Sequence, residues 1–196
     1  MGNKQTLGLS SESQRSDGWL KSLLWPTVDN AWDVDYLGQQ GLWVCAVVAV
    51  FGLIGSLFTG NPVLIAIAVL SALFFILGGM GIREANWSAA ALLFAVQLCN
   101  VLLRPNVFSV AFTLILLSNL RATFLASEWK PAAEGEDRPT RFSESFGDKY
   151  VDQLPRLLWP KLQIPFFVLG TAMLLLSLLG VLYTVAAALG LIPHKS

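Results

Sequence analysis

The stretch from Tyr36 to Ile82 contains no Asp, Glu, Lys, Arg or His, and this constrains the fold more than any other feature. Only Gly60-Asn61-Pro62 interrupts it. A helix needs about 20 apolar residues to cross a hydrocarbon core of about 30 Å, so Leu42–Thr59 and Pro62–Ile82 each predict one crossing. Because Gly and Asn favour a helix C-terminus and Pro favours the first turn of the next helix, the stretch predicts a membrane hairpin.

The overall composition places the chain among membrane proteins. It is 55% hydrophobic and 13% charged, with a mean hydropathy of +0.61, whereas soluble domains have about 25% charged residues. The formal net charge is zero, so there is no basic excess of the kind that binds nucleic acid. The partner we expect is the lipid bilayer, together with either another membrane protein or further copies of this chain.

The expected fold is an all-α integral membrane protein with about five transmembrane helices, arranged as two hairpins and a long C-terminal helix. Two short interfacial amphipathic helices are expected on the cytoplasmic face. In this division, residues 1–40 are a polar N-terminal tail with an interfacial helix, and 41–126 are a four-helix transmembrane region. Residues 127–163 are a cytoplasmic loop with the second interfacial helix, interrupted by prolines, and 164–196 are the C-terminal helix and a short tail.

The second hairpin is the part of this topology that leaves alternatives open. Trp87–Leu103 and Val107–Ala126 are each apolar, and Arg104-Pro105-Asn106 between them is typical of a turn. The pair either crosses the membrane fully or forms a re-entrant hairpin. A single long, kinked crossing over the same residues is disfavoured, because it would move the polar loop and its positive charges to the outer face.

The placement of the charges predicts the orientation. With five crossings, eleven of the thirteen Lys and Arg residues fall on the N-terminal face, and only Arg104 and Lys195 fall on the other. Cytoplasmic loops of membrane proteins carry an excess of Lys and Arg. We therefore expect a multi-pass protein of the bacterial inner (cytoplasmic) membrane, with a cytoplasmic N-terminus and the C-terminus on the opposite face.

The residues that most membrane enzymes need are scarce. The only histidine is His194, near the C-terminus, and no carboxylate lies inside a predicted crossing. Cys45 and Cys99 each lie in an apolar run, far from any metal-ligand or disulfide spacing, and are expected to be small buried hydrophobes. We expect no catalytic residues, cofactor or metal. Asp33 and its neighbours Asp29 and Asp35 are expected to form a solvated helix face.

A few polar side chains remain inside the predicted crossings. Gln97 and Asn100 share one face of the third helix, where they either form hydrogen bonds with a neighbouring helix or line a narrow path. Asn119 lies on the fourth helix. Arg121, near the end of that helix, either extends to the interface or binds an anionic head group or substrate.

Small residues give two further expectations. Gly52, Ser56 and Gly60 are four residues apart, a spacing that allows another helix to approach closely, so we expect this stripe to pack against a helix. The run Gly78-Gly79-Met80-Gly81 is expected to loosen the end of the second helix.

Two functional hypotheses follow. The first is a non-catalytic accessory or assembly component of a membrane complex. The second is a small oligomeric channel or carrier with a polar path along Gln97, Asn100 and Asn119. A wet cavity that reaches Asn100 would favour transport, and a closed core with an apolar outer groove would favour assembly.

Overall fold

The computed structural model describes residues 21, 24–28, 31–128 and 146–191, which form five α-helices and no strand. The helices are α1 (Ala31–Leu57), α2 (Pro62–Arg83), α3 (Trp87–Leu103), α4 (Val107–Glu128) and α5 (Phe146–Ala188). All but α3, which has 17 residues, are long and apolar enough to cross a membrane. The predicted all-helical class is confirmed. Most of the first predicted interfacial helix, around Trp19, and most of the predicted polar loop lie outside the described residues.

The first hairpin forms where the sequence predicts it. Gly60 adopts a φ of +64°, which favours glycine, and the Asn61 side chain accepts a hydrogen bond from the backbone N–H of Val63 at 2.9 Å. Pro62 then occupies the first turn of α2, where its missing N–H removes no helical bond. α1 and α2 pack against each other along the hairpin. We call the end of the bundle at this turn the Gly60 end and the opposite end the Arg83 end.

The second hairpin consists of two separate antiparallel helices. The rings of Trp87, at the start of α3, and Phe124, near the end of α4, lie 6.2 Å apart between centroids. Asn106 ends the turn, because its Oδ1 accepts a hydrogen bond from the backbone N–H of Ser109 at 2.8 Å. The single kinked crossing considered for this region is therefore wrong.

α5 is one helix of 43 residues, although the sequence predicts separate interfacial and membrane helices here. Pro155, Pro160 and Pro165 all lie inside it. Asp152 and Gly170 of α5 contact Arg83 and Phe74 of α2, so the first part of α5 packs against the second half of α2.

The packed core lies toward the Arg83 end. The rings of Phe74 and Phe166 stack at 5.2 Å, and Trp159 meets Phe166 edge to face at 5.4 Å. Leu93 and Leu116 are fully buried nearby. Toward the Gly60 end the large apolar side chains are exposed, and the bundle leaves an apolar surface that suits contact with lipid. The most exposed examples are Phe58, Val107, Phe108, Leu176 and Leu191.

Candidate functional site

A cluster of buried charges joins three helices at the Arg83 end. Arg83, the last residue of α2, is 3% exposed, and its guanidinium lies 2.7 Å from the Asp35 carboxylate of α1 and 2.5 Å from the Asp152 carboxylate of α5. It also donates hydrogen bonds to the backbone carbonyls of Asp35 and Val151, at 2.8 and 3.3 Å. We call Arg83, Asp35 and Asp152 the arginine clamp.

The clamp is suited to holding helices together. Its four hydrogen bonds use most of the five N–H donors of the guanidinium, and bonds between charged groups are stronger than those between neutral groups. The positive charge also lies in the last turn of α2, where it opposes the negative end of the helix dipole. Few donors remain for a ligand, so the arrangement indicates a structural role.

The prediction that the aspartates form a solvated helix face is wrong at the positions that the structure describes. Asp33 is 6% exposed, and the Asp35 side chain is 21% exposed and bound to Arg83. The hairpin accounts for the pairing of Asp35, because it brings the end of α2 alongside the start of α1. Asp29 lies outside the described residues.

One signal in the sequence could have predicted the pairing of Asp35 and Arg83. Gly60 is the turn of the hairpin, and the two charged residues lie at similar distances from it along the chain. Residues at equal distances from a tight turn lie level in an antiparallel pair of helices. The contribution of Asp152 has no comparable signal, since it depends on where α5 crosses α2.

Asn119 lies in a close contact between α1 and α4. It is fully buried, and its Nδ2 donates to the carbonyl of Ile115 at 2.9 Å. Its Oδ1 faces Gly41 of α1, where a Cβ would lie only 2.7 Å away. Only glycine permits this approach, so Asn119 occupies a packed helix contact.

Gln97 and Asn100 lie apart from Asn119. Gln97 is 5% exposed and Asn100 is half-buried, and neither side chain forms a hydrogen bond with another residue in the described ranges. The turn between α3 and α4 is at Pro105. Gln97 and Thr113 are each eight residues from this turn and therefore lie level, whereas Asn119 is six residues further along α4, about 9 Å closer to the Arg83 end. The structure therefore does not bring these three polar residues to one level.

Arg121 lies near the Arg83 end of α4, beside the segment that precedes α1. Its Nη1 donates to the carbonyl of Pro26 at 3.1 Å, and its guanidinium lies 5.1 Å from the centre of the Trp25 ring. This distance is typical of a cation–π contact. Unlike Arg83, Arg121 forms no ion pair with a carboxylate among the residues described.

The predicted small-residue stripe lies on an uncovered part of the first hairpin. A Cβ built on Gly52, or on the nearby Gly55, would meet nothing within 4 Å. Ser56 is half-buried and its hydroxyl donates to the carbonyl of Leu53 at 2.8 Å. Gly60 lies beyond the end of α1, in the turn. None of the described residues packs over Gly52, so the packing of the stripe against a helix stays a prediction.

The glycine run near the end of α2 is tightly packed, so the expectation that it loosens the helix is wrong. A Cβ on Gly78 would lie 2.3 Å from Leu93, and one on Gly81 would lie 2.6 Å from both Ala89 and Trp159. These glycines let α3 and α5 approach the α2 backbone. Spacing alone could not show this, because the same residues also occur where helices are loose.

The outside of the bundle carries a shallow apolar groove along α4. It has a volume of about 460 Å³, and Asn106 is its one polar lining residue. The apolar lining residues are Leu24, Pro105, Val107, Val110, Ala111 and Leu114. Cys45 and Cys99 are buried, as expected. Within the described ranges, no three His, Cys, Asp or Glu residues are grouped closely enough to bind a metal ion.

No protein-family model, curated protein or solved structure matches this chain. Its function must therefore be inferred from its own residues.

Proposed function

We propose that the protein is a small multi-span membrane protein that acts as a non-catalytic accessory or assembly component of a membrane complex. The observation that carries the proposal is the uncovered half of α1 toward the Gly60 end. Gly52 and Gly55 leave open space there, and the flanking Phe51 and Phe58 are 70% and 87% exposed.

Such a surface supports helix association in lipid. Lipid chains are as apolar as leucine, so burial from lipid adds little, and membrane helices associate mainly through close packing over small residues. Within the chain, small residues allow such close packing at Gly78 and Gly81, where α3 and α5 pack tightly against α2. On α1, Gly52 and Gly55 contact no helix of the described part of the chain, and we infer that a partner helix packs there.

The packing also favours assembly over transport. The described groove is apolar and lies on the outside of α4, whereas Asn119 is enclosed against Gly41 and Ile82. A channel or carrier would need Gln97, Asn100 and Asn119 to line one wet path, whereas Asn119 is packed closely against Gly41 of α1. The transport hypothesis therefore receives less support.

Replacement of Gly52 by Leu tests the proposal, because a side chain at this position meets nothing within 4 Å. The added bulk is expected to weaken close helix approach, so the particle purified in mild detergent should become smaller and lose its stoichiometric partner, with no loss of melting temperature. Light scattering after size-exclusion chromatography, with mass spectrometry of the co-purifying chains, measures this. Ala66→Leu is the matched control, because Ala66 is exposed on α2 of the same hairpin.

Two outcomes would contradict the proposal. In one, the unmodified protein is a monomer without a stoichiometric partner. In the other, Gly52→Leu and Ala66→Leu change the assembly equally, which would show that added bulk on this hairpin has a general effect.

We also propose that the protein lies in a bacterial inner membrane, with a cytoplasmic N-terminus and the C-terminus on the opposite face. The charge asymmetry supports this orientation. A cysteine replacing Glu136 should be protected from an impermeant thiol reagent in intact cells, whereas one replacing Ser196 should be labelled. The native Cys45 and Cys99 are buried and give little background. Labelling at 136 with protection at 196 would reverse the orientation.

A further inference from the structure

The two arginines at the Arg83 end have very different surroundings. Arg83 is neutralised by two carboxylates, whereas Arg121 has none among the residues described and is only partly exposed. Along its own helix, the nearest acidic residue is Glu128, seven residues and about 10 Å further on. A poorly solvated guanidinium without a counter-ion favours the binding of an anion.

The environment of Arg121 leaves its guanidinium able to bind an anion. The Pro26 carbonyl accepts from Nη1, and the Trp25 ring holds the guanidinium by its π face. Most of its five N–H donors are left for an anion. A planar guanidinium matches the oxygens of a phosphate group, to which it can donate two parallel hydrogen bonds.

The apolar groove lies on the same face of α4 as this arginine. Val107, Leu114 and Arg121 are spaced by seven residues, which places them on one stripe of the helix. Val107 and Leu114 line the groove, together with Leu24 from the segment that also contacts Arg121. Leu114 lies about 10 Å from Arg121 along the helix axis, in the direction of the bilayer centre.

We propose that Arg121 and this groove form a binding site for one anionic phospholipid. The phosphate of the head group binds the Arg121 guanidinium beside Trp25, and one acyl chain lies in the groove between Leu24 and α4. The positive charge and the apolar groove follow each other along α4 in the order in which a lipid of that leaflet presents its phosphate and its chain. A soluble anion would use the arginine but not the groove.

Lipid retention by the purified full-length protein tests this proposal. The protein is equilibrated with an equal mixture of phosphatidylglycerol and phosphatidylcholine in neutral detergent, washed, and its bound lipids are quantified by mass spectrometry. The parent protein should retain phosphatidylglycerol preferentially. Arg121→Gln should lower that preference about fivefold, as expected for one basic residue near a membrane surface, and Arg121→Lys should keep most of it.

A second pair of variants tests the groove. Val110→Trp fills it and should lower the retention of phosphatidylglycerol, whereas Phe108→Trp, at an exposed position outside the groove lining, should not. Arg104→Gln is the charge control, because Arg104 is an exposed cation at the other end of the hairpin and should leave the preference unchanged. Far-UV circular dichroism and size-exclusion chromatography show whether each variant is folded.

Three results would overturn the proposal. The parent could show no preference for phosphatidylglycerol, or Arg121→Gln could retain as much of it as Arg104→Gln. Inorganic phosphate could compete with the lipid while Val110→Trp has no effect, which would show that the arginine binds a free anion and that the groove plays no part. If Arg121→Gln does not fold, Val110→Trp and the phosphate competition decide the question.

Discussion

Replacement of Arg83 by Met is expected to destabilise the protein by about 3–5 kcal/mol, the largest effect we expect from a single substitution. Met keeps much of the length of the side chain but removes the charge and the four hydrogen bonds to α1 and α5. Asp35 and the buried Asp152 would then remain without their counter-ion in a poorly solvated place. Reversible unfolding in mixed micelles, followed by circular dichroism, measures the loss of stability.

The controls for this prediction separate charge from packing. Arg104→Met removes an exposed arginine and should change the free energy of unfolding by less than about 1 kcal/mol. The triple variant Arg83→Met, Asp35→Asn, Asp152→Asn should recover much of the lost stability, because it removes the orphaned carboxylates together with the arginine. Equal stability of Arg83→Met and Arg104→Met would show that the arginine clamp does not stabilise the bundle.

Replacement of Gly81 by Ala is expected to destabilise the protein by about 1–3 kcal/mol, although alanine favours helix more than glycine does. The new methyl group would lie 2.6 Å from the Cβ of Ala89 and 2.6 Å from the Trp159 ring. Neither neighbour can move by a simple rotamer change, because one is a Cβ fixed to a helix backbone and the other is a rigid ring in the core. α3 and α5 would have to move away from α2.

Gly55→Ala is the matched control, since a Cβ at Gly55 meets nothing within 4 Å. It should be neutral or stabilising by up to about 1 kcal/mol, because only the difference in helix propensity acts there. Gly81→Ala should therefore be clearly less stable than Gly55→Ala in the same unfolding measurement. A gain of stability from Gly81→Ala would mean that the three helices are not in close contact at this point.

The fold class and half of the ten helix ends were determined by the sequence alone. The predicted starts and ends of α2 and α3, and the start of α4, coincide with or lie within one residue of the observed ones. These boundaries depend on short-range chemistry. The turn at Gly60, the caps formed by Asn61 and Asn106, and the fixed φ of Pro62 all act within a few residues. The apolar character and length of the helices likewise follow from hydrophobicity summed along the chain.

The tertiary structure decided which residues of different helices come together. It paired Asp35, which a local pattern places on a solvated face, with Arg83, because α2 returns alongside α1 with Arg83 at the matching level. Asp33, expected on the same face, is buried. The tertiary structure also made α5 continuous through three prolines and placed Asp152 beside Arg83. Each of these outcomes depends on contacts between residues far apart in sequence, where neither helical periodicity nor charge counting carries information about the partner.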